Sequence, residues 1–130
     1  MSIDPRWMLS DEEKQAFTEK LVKELPMLRA SVGISQGELA YLIGTTRQTY
    51  SAVENGKRPL SWQMYLSLIF IFDNIESSKE LITKMEIYPT EIVKRFNDNE
   101  DEVVKPKEEE KVSLTYDEIA RLLETVKGLK

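Results

Sequence analysis

The sequence predicts an all-α protein: a core of four short helices, an N-terminal helix before it and a helical C-terminal extension after it. Three observations lead there. Apolar residues recur at helical spacing, and no strand-like alternation of useful length appears. Helix-starting Ser, Thr and Pro residues are followed at short intervals by helix-stopping glycines, Gly33, Gly44 and Gly56. With 130 residues, the chain has room for one compact domain with appendages.

The elements follow in order. Ser10 followed by Asp11-Glu12-Glu13 is a capping-box pattern, and Ala16, Phe17, Leu21 and Val22 continue it as helix one to about Glu24. Pro26 would break a helix from inside but suits a first turn, so a new helix is expected from Pro26 to Val32, stopped by Gly33. Ser35 then caps a helix through Ile43 that Gly44 stops, and Thr45 or Thr46 caps another through Glu54 that Asn55-Gly56 stops. Pro59-Leu60-Ser61 caps a fourth, from about Trp62 to Asn74. Ser77 or Ser78 opens a short helix to about Glu86, and Pro89-Thr90 another to Phe96.

The segment Asn97 to Lys111 is almost wholly charged, the composition of a linker without a core of its own. "SLTYDEIARLLETVKGLK" then returns to helical periodicity, with Ile119, Leu122, Val126 and Leu129 at heptad spacing. The expected organisation is a helical arm over 1–24, a central domain over 25–75, a helical extension over 76–97, an acidic linker over 98–111 and an amphipathic helix over 112–130.

Composition narrows the function. The chain has no Cys and no His, which removes disulfides, thiolate nucleophiles, most zinc sites and the usual general base. No Gly-rich phosphate loop or metal-ligand spacing is present either, so no enzyme, no metal and no cofactor is expected. The longest apolar run, Met64 to Phe72, falls well short of the roughly 20 residues of a membrane span, and no signal peptide opens the chain. A cytoplasmic protein that avoids membranes is expected. Net charge is −5, but it is unevenly spread: −2 over residues 1–24, +1 over 25–75 and −4 over 76–130. Only the central segment is not acidic.

That segment has the features of two short helices crossing near a right angle. Ala40 supplies the small side chain at the crossing, Gly44 the turn residue that tolerates positive φ, and Leu39, Ile43, Tyr50 and Val53 the inward face. A second helix inserted end-on into a DNA major groove would meet base edges with its first turn, which here carries Arg47, Gln48 and Thr49. Arg pairs bidentately with guanine and Gln with adenine, each worth about 1–3 kcal/mol of discrimination. The helix N-termini at Gln36 and Ser61 offer free N–H groups to phosphates.

"LRASVGI", "SQGELAYLIG", "TTRQTY" and "VENGKRP", with the apolar helix after them, resemble the helix-turn-helix domain of the phage repressor/Cro (xenobiotic-response-element-type) family over residues 25 to about 75. The resemblance implies a four-helix helix-turn-helix core of repressor-like type that reads double-stranded DNA with the helix 46–54. It implies base contacts by Arg47 and Gln48, a phosphate contact by Gln36, and backbone contacts by Thr46, Asn55, Lys57 and Arg58. At Ala52, where several relatives put a third polar reader, the chain is expected to read either fewer base pairs directly or only a thymine methyl. Tyr50 stands where an aliphatic core residue is usual, so its hydroxyl requires a partner or a route to solvent, or else the recognition helix sits slightly differently. The resemblance also implies a pair between Arg29 and Glu54.

The candidate site is therefore Arg47, Gln48, Thr49 and Ala52 toward bases, and Gln36, Thr46, Asn55, Lys57, Arg58 and Ser61 toward phosphates. The leading reading is a sequence-specific DNA-binding transcriptional regulator, a repressor acting as a homodimer. The alternative is an antitoxin or adaptor that binds a partner protein through its C-terminal helix. The helix over 61–74 is apolar nearly all round, so either residues 76–97 fold over it or part of it forms a subunit interface.

Overall fold

A computed structural model of the chain describes residues 2–98 together with Ala120, Arg121 and Glu124. Two compact units are present, Met1–Phe96 and Asn97–Lys130. In the second, Ala120, Arg121 and Glu124 are helical and exposed; the expected linker and amphipathic helix otherwise lie outside the described residues. All regular structure among the described residues is helical: a short 3-10 turn at Pro5–Trp7, then α1 (Asp11–Val32), α2 (Gln36–Ile43), α3 (Arg47–Glu54), α4 (Trp62–Asp73), α5 (Glu76–Lys84) and α6 (Thr90–Asn97).

The expected break at Pro26 is corrected by the structure: α1 runs uninterrupted from Asp11 to Val32 with Pro26 inside it. Its start is the capping box read from the sequence, with Glu13 N–H donating to Ser10 Oγ and Ser10 N–H to Glu13 Oε1, both at 3.1 Å. An interior proline costs about 3 kcal/mol. Here Leu21, Leu25 and Leu28 keep one buried stripe in register across it, packed against α3, α4 and α5, while Pro26 itself faces solvent. Burying three leucines stabilises the continuous helix by about 1.5–3 kcal/mol each, which outweighs the proline.

The second correction is at α5. Neither Ser77 nor Ser78 caps it; the helix begins at Glu76, and Ile75 at the cap supplies no side-chain bond. Ser78 is fully buried instead, and its hydroxyl donates to the Phe72 carbonyl at 2.7 Å and the Ile75 carbonyl at 3.1 Å. It thereby satisfies a carbonyl that the end of α4 leaves open.

Residues 76–97 do fold against α4. Its inner side chains Tyr65, Leu68 and Phe72 are fully buried with Ile82 of α5 in the one core that also holds Leu39, Tyr50 and Val53. The cover is incomplete, since Leu66 stays 48 % and Phe70 69 % exposed. The 3-10 turn was not legible in the sequence. It is tied down from far along the chain: Arg95 donates to the Met8 carbonyl and to Glu13 Oε2, each at 2.7 Å, and Trp7 packs on Phe96 with ring centroids 5.6 Å apart.

Candidate nucleic-acid interface

The crossing of α2 and α3 rests on the residues that the sequence singled out. Ala40 is 1 % exposed, so the helices approach closely there. Gly44 turns the chain at φ 78°, in the left-handed region, with its N–H on the Ala40 and Tyr41 carbonyls. Thr46 then caps α3, its Oγ1 accepting from Thr49 N–H at 3.1 Å and donating to Thr49 Oγ1 at 2.9 Å.

With Tyr50 and Val53 buried, the opposite face of α3 turns outward. Arg47, Gln48, Ala52 and Asn55 line one shallow groove of about 350 Å³ with Lys57 and Ser51. Ser51 is a residue that the sequence reading passed over. It lies four positions after Arg47 and three after Gln48, so helical periodicity alone places it on that face. Its hydroxyl accepts from Asn55 Nδ2 at 3.3 Å and steadies that amide. Arg47 is also supported from behind: a methyl group at Gly37 would lie 3.8 Å from Arg47 Cδ, so the arginine stem runs over the first turn of α2.

The remaining candidates lie outside this groove. Thr46 and Thr49 flank its N-terminal end, engaged with each other. Gln36 is half-buried beside Glu54. Ser61 caps α4 by accepting from Met64 N–H at 3.1 Å, and Arg58 lines a neighbouring groove that Lys57 shares.

Beneath the outward face is the expected ion pair. Arg29 Nε and Nη2 donate to Glu54 Oε2 and Oε1 at 2.8 and 2.7 Å, and Arg29 Nη1 donates to the Ile34 carbonyl at 3.2 Å. The Glu54 side chain is 5 % exposed. Its burial alone would raise its pKa, but the two hydrogen bonds from Arg29, with Tyr50 and Gln36 close by, more than offset that and hold the carboxyl below the usual range. The Tyr50 phenol is pushed far upward by burial and then by the neighbouring carboxylate. Its hydroxyl is buried near Glu54 and Arg29 without a well-formed hydrogen bond to any described residue. Tyrosine at this position therefore lies inside, as an aliphatic side chain would, and its hydroxyl gains no route to solvent.

The helix ends differ in their electrostatics. The first turn of α2 contains Glu38, whose carboxylate accepts from Ser35 N–H at 3.0 Å and partly neutralises that positive end. The first turns of α3 and α4 contain no acid. Their dipole ends remain available to anions. Arg47, Lys57 and Arg58 are exposed, and the one acid of α3, Glu54, faces inward to Arg29.

Residues 20–71 match the family model described as a helix-turn-helix domain. No curated protein and no solved structure matches. The match covers the C-terminal half of α1 through most of α4, the stretch that forms the crossing and its support. The chain thus carries an all-α helix-turn-helix fold, a domain type that suggests DNA binding. Among the described residues no helix is long and apolar enough to cross a membrane.

Proposed function

We propose that this protein is a sequence-specific regulator of transcription, a repressor of the phage repressor/Cro type, that reads the major groove of double-stranded DNA with α3. One observation carries the reading: α3 offers Arg47, Gln48, Ala52 and Asn55 on a single outward face, its N-terminus free of acids and its inner side clamped by Arg29–Glu54. Arg47 and Gln48 reach base edges, Thr49 and Ala52 complete the contact, and Gln36, Thr46, Asn55, Lys57, Arg58 and Ser61 hold phosphates. The chain binds and does not catalyse, and it acts in the cytoplasm.

A single domain reads one half-site, so the repressor acts as a homodimer. The exposed apolar strip at Leu66 and Phe70 favours α4 as the contact.

The test is to select bound sequences from a random DNA pool and measure variants against the selected and a scrambled duplex by fluorescence anisotropy. Arg47→Ala should cost about 1–3 kcal/mol on the selected site and relax preference at one base pair. Lys57→Ala should weaken binding to all sequences alike and lower the salt slope by about one unit. A specific-to-scrambled ratio unchanged in Arg47→Ala would remove α3 from the reading role.

A further inference from the structure

A second groove, of about 690 Å³, adjoins the recognition face and lies between α1 and the loop that leaves α3. Four cations line it: Lys14 and Lys23 from α1, Lys57 and Arg58 from the loop. None of the four forms an ion pair with a described residue. The one acid in the lining, Glu19, accepts a hydrogen bond from the Gln15 amide at 2.8 Å. Lys14 lies over the Trp62 ring, 5.9 Å from its centroid, which orders the ammonium without neutralising it. In a chain of net charge −5 this is a local excess of positive charge.

The groove is continuous with the α3 face, because Lys57 lines both. Lys14 lies before the stretch that matches the helix-turn-helix model, and Lys23 lies just inside it, near the middle of α1.

We propose that this groove is a second track for the DNA sugar-phosphate backbone, in which Lys23 and Lys14 extend the phosphate contacts of Lys57 and Arg58 onto α1. The inference rests on the DNA-binding reading of α3 and adds a partner surface to it. Continuity with the recognition face identifies the occupant: a strand that leaves Lys57 enters the groove directly. Four cations without an ion pair among the described residues match successive phosphates, and the Trp62 wall offers an apolar surface to deoxyribose. The contact reads no base. It lengthens the footprint and steepens the salt dependence, because each phosphate neutralised releases counterions, with a slope of about 0.9 per contact.

The experiment compares two duplexes carrying the sequence selected from the random pool. One is trimmed to the recognised bases; the other is extended by a helical turn at each end. Binding is followed by anisotropy across a salt series for the full-length protein, Lys14→Gln/Lys23→Gln and Lys23→Glu. The unmodified protein should show the steeper slope on the extended duplex, by about two units. The double variant should lose that difference while binding the trimmed duplex as the unmodified protein does. Lys23→Glu should bind the extended duplex more weakly still, with circular dichroism showing an unchanged fold. Equal slopes on both duplexes for the unmodified protein, or a double variant that keeps the difference, would overturn the track and leave α3 reading intact. Failure of the unmodified protein to bind either duplex would overturn the DNA-binding reading, and the track with it.

Discussion

The outward face of α3 and the outward face of α4 are both left uncovered by the same core, and they are opposite in kind. On α3 the exposed residues are Arg47, Gln48 and Asn55, and the apolar Tyr50 and Val53 all point inward. On α4 the inner face is equally well buried, yet Leu66 and Phe70 remain exposed beside Trp7, Met8 and Phe96 in a groove of about 500 Å³. A helix with one apolar face can stand in water when that face is buried. A helix apolar on every side needs more cover than one small domain provides. On the proposed function, the first face suits a polar, charged ligand, and the second a surface that removes apolar area from water.

The two faces also differ in how they are held. The α3 face is braced by a buried ion pair spanning 25 residues of sequence, whereas the α4 groove is closed by an exposed N-terminal segment clasped by Arg95. The sharpest way to separate them is to cut the brace. Arg29→Met or Glu54→Gln removes one partner of a largely buried pair and strands the other, so each should cost about 3 kcal/mol of stability, toward the lower end of the 3–5 kcal/mol range for complete burial. Denaturant unfolding reads this directly; a negligible shift of the midpoint for both variants would show the brace to be idle.

Acid should act in the same place. Glu54 has a folded pKa below its ordinary value, so the stability it contributes is present above the unfolded carboxyl range and is lost as pH falls through the folded pKa. Urea titrations between neutral and acid pH should show this component in the unmodified chain and not in Glu54→Gln. Persistence of the full pH dependence in Glu54→Gln would assign it to other carboxylates.

A milder cut is Thr46→Ala, which removes the cap of α3 and its bond to Thr49. It should cost about 1 kcal/mol of stability and, by fraying the first turn, weaken binding to the selected duplex. Unaltered thermal stability would mean that the Thr46 cap contributes nothing in water.

The smallest effect on stability is expected on the other face. Phe70→Ser replaces a side chain that is 69 % exposed, so the unfolding midpoint should move by no more than about 0.5 kcal/mol. Self-association should nevertheless weaken, as sedimentation across a concentration series would show. A variant that associates like the unmodified chain would move the dimer contact away from α4.

Local chemistry explains why most of the helices were legible from the chain alone. Ser10, Ser35, Thr46 and Ser61 each cap a helix by accepting from the N–H three residues on, and Gly33 and Gly44 each close one in the left-handed region. Such bonds depend on neighbours in sequence, so sequence displays them. Arg47 and Gln48 followed from their place in the first turn of α3, Ala52, Asn55 and Lys57 came through the family resemblance, and Ser51 was passed over although periodicity places it on that face. The inward place of Glu54 came through the family resemblance, and the coordinates bear out its pairing with Arg29.

What the tertiary structure decided is what local rules get wrong or omit. Pro26 stays inside α1 because Leu21 and Leu25 before it and Leu28 after it find partners on α3, α4 and α5. Ser78 abandons the cap of its own helix because burial requires its hydroxyl to serve Phe72. Arg95 reaches back 87 residues to the Met8 carbonyl. In each case the deciding energy comes from a group distant in sequence or from exclusion of water, and neither is written in the residues that respond to it.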